Sequence, residues 1–178
     1  MLFRSLAVCN DGTDAIVYYR PGIGAQADRA ILYFQGGAWC SSEGDCAGRY
    51  NHSRFLMSTG GDALNTTMNG GIMSNNCTYN PDFCNASVIF FRYCSSDSFA
   101  GDAPNPVFGG WQMRGKRHVA AVLDGMTGVA PNLFNPPLQA SSLSTVLVIG
   151  DSAGGVATLS NVDFVAQSYF IQMHQVRF

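Results

Sequence analysis

The 178-residue chain is poor in charge. Only 12% of it is Asp, Glu, Lys or Arg, with one lysine, Lys116, and one glutamate, Glu43. Ten basic and twelve acidic residues leave a formal net charge of -2, and no basic stripe exists to neutralise phosphates, so nucleic acid is not an expected partner. No apolar run approaches the roughly 18–20 residues needed to cross a bilayer, which excludes a transmembrane segment. No C-x-x-C pair and no H-x3-H spacing occur, so zinc has no motif, and neither metal nor cofactor is expected. The amino end carries one Arg and a few apolar residues before Cys9, short of the roughly 7–15-residue apolar stretch of a secretory leader. A lost leader is the expectation.

What is present is apolar and glycine-rich. Hydrophobic residues make up 47% of the chain, with 20 Gly and 7 Pro. That is too much apolar surface for a disordered chain. Six cysteines, Cys9, Cys40, Cys46, Cys77, Cys84 and Cys94, form an even set in the first 94 residues. A disulfide framework is the favoured reading, with buried free thiols as the alternative. Cys40 and Cys46 could close one short loop, and Cys77 and Cys84 another around Asn80-Pro81. Four N-x-[S/T] sequons, at Asn51, Asn65, Asn76 and Asn85, are glycosylation candidates and suggest a surface facing a secretory lumen.

Short β-branched and aromatic runs at 15–19, 30–34, 87–93 and 144–149 read as strands. The first two, joined through Pro21-Gly22-Ile23-Gly24, suggest a hairpin or neighbouring strands. Continuous rather than alternating apolarity predicts strands covered on both faces. Residues 41–80 read as a long functional loop, and 113–126 and 153–166 as helices. This alternation predicts an α/β fold with a mostly parallel sheet and flanking helices.

Gly150-Asp151-Ser152-Ala153-Gly154 matches G-x-S-x-G, set where an apolar strand ends and a helix begins. That is the nucleophile-elbow arrangement, and Ser152 is the candidate nucleophile; an N-capping serine is the plain alternative. Gly36-Gly37-Ala38-Trp39 follows the 30–34 strand directly. Backbone N–H groups there, with that of Ala153, could serve a developing oxyanion.

Several segments carry a family resemblance: CNDGT (9–13), ILYFQGGAWC (31–40), Cys46 with Arg49-Tyr50, NPDFCNASVIFFRYCSSDSFAGD (80–102), FGGWQMRGKRHV (108–119) and GDSAGGVATLSNVDFV (150–165). In order and spacing, from about Cys9 to Ala166, they resemble the pectinacetylesterase and Notum family. The resemblance implies an extracellular carboxylic ester hydrolase with an α/β-hydrolase-like fold. It also implies Ser152 as nucleophile, with Gly37, Ala38 and Ala153 as oxyanion donors. Cys40–Cys46 and Cys9–Cys94 would be disulfides. The substrate would be an acetylated polysaccharide such as pectin first, or a protein-bound acyl ester. Trp39 before Cys40 looks like the pectinacetylesterase form, and Cys94-Ser95-Ser96-Asp97 looks more like Notum.

A serine nucleophile needs a base and an orienting carboxylate, and after Ser152 only Asp163 and His174 remain. Asp163 falls within the elbow helix, and His174 in a tail that no longer resembles the family. The family's acid and base would then lie in a carboxy-terminal half missing from these residues. One incomplete α/β-hydrolase-like domain over 1–178 is the expectation, nearly inactive by itself and exposing an apolar sheet edge. A chymotrypsin-like order, His52, Asp97 or Asp102, then Ser152, is the weaker enzyme reading, because Ala153 interrupts G-D-S-G-G. A pseudo-hydrolase that binds a glycan or acyl ligand is the non-enzyme alternative. Trp39, Asp97 and Phe99 are cleft candidates, with Trp111 beside them; His52 and His118 read as loop and helix-surface residues.

Overall fold

The computed structural model describes residues 6–63 and 66–170. Four strands form one sheet: β1 (Val17–Arg20), β2 (Arg29–Phe34), β3 (Ser87–Phe91) and β4 (Thr145–Gly150), in the order β1-β3-β2-β4. β2 pairs in parallel with both β3 and β4, and β1 runs antiparallel to β3. The sheet is mostly parallel, as the alternation of elements predicts. β1 and β2 are not a hairpin, however. β3 lies between them, because its continuous apolar run earns a central place.

Three helices accompany the sheet: α1 (Glu43–Ser53), α2 (Gly115–Thr127) and α3 (Ala153–Phe170). α2 and α3 cover one face. Ala30, Leu32 and Phe34 of β2 and Ile89 and Phe91 of β3 point to it with period two, and meet Val119, Val122, Leu123 and Met126 of α2 and Ala153, Ala157 and Val165 of α3. The other face is only partly covered among the described residues. Ile31 and Val88 are buried there, but Tyr18, Phe90 and Tyr33 form a half-buried aromatic row across β1, β3 and β2. The expectation of strands buried on both faces therefore holds only for the sheet centre. β4 has one neighbouring strand among the described residues, and α3 beside it exposes Val156, Leu159 and Val162.

α1 occupies the segment read as loop. Ser42 caps it, accepting from Asp45 N–H at 3.3 Å, with Glu43 and Asp45 in the first turn. Only Cys46 of this helix is buried, so it has almost no apolar stripe for a sequence reading to find.

All six cysteines pair: Cys9–Cys94, Cys40–Cys46 and Cys77–Cys84. Cys9–Cys94 spans 85 residues, and closing so long a loop stabilises by about 4–5 kcal/mol in the chain-entropy account. Beside it the Asn10 amide donates to the carbonyls of Ser95 and Gln112, at 2.8 and 2.7 Å. These bonds tie the amino-terminal segment to the stretch that leads from β3 to α2.

His118 is a core residue rather than a helix-surface one, because the buried face of α2 includes it. Its Nε2 lies 2.8 Å from the Val8 carbonyl oxygen, and Nδ1 has no partner. Burial lowers its pKa from 6.5 to about 4. Asp97 accepts from Ser95 Oγ, Phe99 N–H and, at 2.8 Å, Gly115 N–H at the start of α2; burial raises its pKa to about 6.

Neutral His118 contributes stability that is present above pH 6.5 and lost as pH falls toward 4; Asp97 has the opposite slope, losing its contribution as pH rises from 3.8 through 6. His118→Gln keeps a donor for the Val8 carbonyl but gains no proton. Urea denaturation should show the wild type losing about 2 kcal/mol relative to this variant between pH 7.5 and 4.5. A constant gap would remove the assignment. A Cβ on Gly154 would lie 2.0 Å from the Phe34 carbonyl oxygen, whereas one on Gly155 meets nothing nearer than 3.5 Å. Gly154→Ala should cost at least about 3 kcal/mol, and Gly155→Ala should be neutral or stabilise by up to about 1 kcal/mol, on the same denaturation curves.

Candidate active site

β4 ends at Gly150 and α3 begins at Ala153, so the chain turns from strand to helix in two residues. Ser152 sits in that turn with φ 51°, a left-handed conformation that a residue with a Cβ rarely adopts. The turn is held from inside: Gly154 N–H bonds to the Asp151 carbonyl at 2.7 Å, and Gly155 and Val156 N–H to that of Ser152. Ser152 is exposed and its hydroxyl makes no hydrogen bond among the described residues. Ala153, one residue on, is buried at the first position of α3, where the helix dipole favours negative charge.

The end of β2 is pressed against this turn. The Asp151 carboxylate accepts from Gly36 N–H at 3.1 Å and from Tyr33 Oη at 3.0 Å. A Cβ on Gly36 would lie 2.4 Å from the Asp151 carbonyl and 3.0 Å from Ser152 Cβ. The 36–39 turn therefore lies directly beside the serine. Burial and the Asp151 carboxylate together raise the Tyr33 pKa.

Beyond Gly36 the chain enters two unusual conformations, Gly37 at φ 149° and Ala38 at φ 56°. Their carbonyls are held from behind. Arg49 Nη2 donates to the Gly37 oxygen and its Nε to Ser96 Oγ, the latter at 2.8 Å. Tyr93 Oη donates to the Ala38 oxygen at 2.7 Å and accepts from Ser98 N–H at 2.9 Å; burial pushes the Tyr93 hydroxyl up to about 12. The N–H groups of Gly37, Ala38 and Ala153 make no hydrogen bond among the described residues. Three backbone donors, two in the turn that follows Gly36 and one directly after Ser152, are thus left unclaimed among the described residues. Arg49 and Tyr93 carry no sequence signal of this duty, because each acts on a backbone oxygen far away in the chain.

The remaining candidates separate. Trp39 is 57% exposed beside Ala38. Phe99, read as a cleft residue, is instead fully buried in the core against Phe34, Phe91, Tyr93 and His118; its own positive φ of 54° turns it inward. Asp97, half-buried, braces α2 and the 95–99 turn through its hydrogen bonds. Asp102 pairs with Arg117, and Trp111 packs against Tyr50 with ring centroids 5.0 Å apart. Asp163 is exposed on α3. His52 lies in the last turn of α1, not in a loop, with Nδ1 2.7 Å from the Gly48 carbonyl. Neither it nor His118 bonds to Ser152, and His174 lies outside the described residues. Asn51 and Asn76 are exposed, Asn85 is half-buried, and Asn65 lies outside the described residues. A parallel sheet flanked by helices leaves no place for the double β-barrel of a chymotrypsin-like protease.

Comparison with known proteins agrees with this geometry. The chain is 32% identical over 167 residues to the palmitoleoyl-protein carboxylesterase NOTUM of Mus musculus, and 31% identical over 167 residues to that of Homo sapiens. Each match covers 94% of this chain and 31% of the relative, so the chain spans under a third of their length. It is also 36% identical over 104 residues to an inactive palmitoleoyl-protein carboxylesterase, notum1b of Danio rerio, covering 58% of this chain and 73% of that one. The crystal structure of the Wnt deacylase Notum from Drosophila superposes with a TM-score of 0.80 at 25% identity, over 95% of this chain and 46% of that one. The fold is accordingly α/β-hydrolase-like, and incomplete relative to the full-length relatives. The pectinacetylesterase family model matches residues 3–177, and the chain belongs to that family.

Proposed function

We propose that this chain supplies the nucleophile and the oxyanion hole of a serine carboxylic ester hydrolase. The observation that carries the reading is Ser152 at positive φ between β4 and α3, packed against Gly36, with the N–H groups of Gly37, Ala38 and Ala153 unclaimed by hydrogen bonds among the described residues. A turn strained in this way costs about 1–3 kcal/mol and is explained by exposing a hydroxyl above the sheet. In the proposed reaction Ser152 Oγ attacks the ester carbonyl carbon. The carbonyl oxygen becomes an oxyanion that accepts from the three N–H groups. Collapse then expels the alcohol and leaves an acyl-serine for water to hydrolyse.

The hydroxyl needs a base to take its proton, and among the described residues no histidine touches it. The chain spans under a third of the length of its mouse and human relatives. We therefore assign the base to a part of the fold beyond these 178 residues, setting His174 aside as well, and read the 178-residue chain by itself as inactive or nearly so. The oxyanion donors alone sustain only a residual rate over water.

The substrate class we favour is an acetyl ester on a pectin-like polysaccharide. An exposed Trp39 beside the small Ala38 supports it, since an indole face suits a sugar ring and an alanine leaves the entrance open. A protein-bound acyl ester is the second reading, supported by the names of the mouse and human relatives. Turnover-free ligand binding is the third, supported by the inactive zebrafish relative. Three disulfides and two exposed sequons fit an oxidising, secretory or extracellular setting, and no described helix is long and apolar enough to cross a membrane.

The 178-residue chain is expected to hydrolyse p-nitrophenyl acetate only marginally above buffer. Steady turnover by it, abolished in Ser152→Ala, would overturn the assignment of the base to an outside group. In the longest natural polypeptide that contains this sequence, Ser152→Ala should lower kcat by about 10⁶; an unchanged rate would remove Ser152 as nucleophile. Acetate released from acetylated pectin, set against fatty acid released from an O-acylserine peptide, ranks the two ester readings. Binding of either substrate without turnover would select the third.

A further inference from the structure

Arg49 sits half-buried on α1 and forms no ion pair; the ion pairs among the described residues are Arg92–Asp62 and Arg117–Asp102. Asp45, one turn earlier, is the acid whose field reaches Arg49, but its Oδ2 accepts from Ser41 N–H at 2.8 Å. A guanidinium that is always charged thus spends its donors on neutral oxygens, Ser96 Oγ and the Gly37 carbonyl. Its position is well determined. Cys40–Cys46 ties α1 to the turn after β2, and the Tyr93 ring centroid lies 6.0 Å from the guanidinium carbon.

The Gly37–Ala38 peptide is trans, so its C=O and N–H point in opposite directions. With the oxygen held by Arg49, the Ala38 N–H is directed away from the guanidinium, and it makes no hydrogen bond. A cation at the oxygen draws electron density through the amide and makes the N–H a stronger donor, as in any cooperative hydrogen-bond chain. Tyr93 holds the next carbonyl, that of Ala38, which keeps the unit from rotating.

We propose that Arg49 is the positioning residue of the oxyanion hole, holding and polarising the Gly37–Ala38 peptide so that Ala38 N–H meets the charge that develops on an ester oxygen. This rests on the serine-esterase reading above. A substrate carbonyl is neutral before attack and anionic after it, so a stronger donor stabilises the transition state more than the bound substrate. The effect therefore belongs in kcat. A purely structural Arg49, stapling α1 to the 93–98 segment, would change stability and leave the kcat of the folded enzyme alone.

The test uses ¹³C,¹⁵N-labelled 178-residue protein as wild type, Arg49→Lys and Arg49→Gln, with far-UV circular dichroism and closed disulfides as the check on folding. Arg49→Gln should move the Gly37 carbonyl ¹³C signal and the Ala38 amide ¹H and ¹⁵N signals upfield. Arg49→Lys, which keeps the charge, should lie between. In the longest natural polypeptide, Arg49→Gln should lower kcat for p-nitrophenyl acetate about tenfold at unchanged KM, with partial rescue by lysine. Gly37 and Ala38 signals that do not respond to Arg49→Gln overturn the proposal. So does a raised KM at constant kcat. Should Arg49→Gln fail to fold, the Arg49→Lys spectrum decides, since unshifted signals there together with lost activity mean a structural role. A Ser152→Ala protein that still hydrolyses the ester removes the esterase reading instead, and that result comes from a different variant than the Gly37 signal.

Discussion

The contact between the end of β2 and the turn after β4 is the constraint on which the rest depends. The Phe34 carbonyl lies so close to Gly154 that no side chain fits between them, and Gly36 sits equally tightly on Asp151. Parallel pairing of β2 with β4 brings Phe34 opposite Gly150, so the two turns emerge from the same edge of the sheet side by side. That register places Ser152 and the 36–39 turn together although more than a hundred residues separate them. Asp151 then adds a polar tie, its carboxylate accepting from both Gly36 and Tyr33.

Around this contact the structure collects conformational strain. Ala38, Ser96, Ser98, Phe99 and Ser152 all have positive φ without being glycine, each at about 1–3 kcal/mol. Such costs persist only where neighbours over-determine the backbone. Cys9–Cys94 and Cys40–Cys46, the Asn10 amide, the Asp97 carboxylate, Tyr93 and Arg49 supply that determination. Residues that read as candidates for the cleft, Asp97 and Phe99, belong to this supporting layer. A half-buried carboxylate and a buried aromatic hold the turns, and Trp39 stays exposed beside Ala38.

Much of the fold was legible because strand and helix periodicity are local. β2, β3, β4, α2 and α3 all lie where their apolar runs place them, and the G-x-S-x-G turn stands between the strand and helix that its flanks announce. α1 was not legible, since a helix with one buried residue has no stripe to detect. The order of strands was not legible either: the short β1 pairs with β3, not with its neighbour in sequence. His118 looked like a surface residue because its partner, the Val8 carbonyl, is a backbone atom 110 residues away.

By itself the sequence determined the family, the even cysteine set and the serine at a strand-to-helix turn, because each is written in residue types at short spacing. Only the tertiary structure decided what surrounds that serine. Arg49 on the Gly37 carbonyl, Tyr93 on that of Ala38 and Asp151 on Gly36 are contacts to backbone atoms. Backbone atoms are the same at every position, so no pattern of side chains can announce which of them a distant residue will hold.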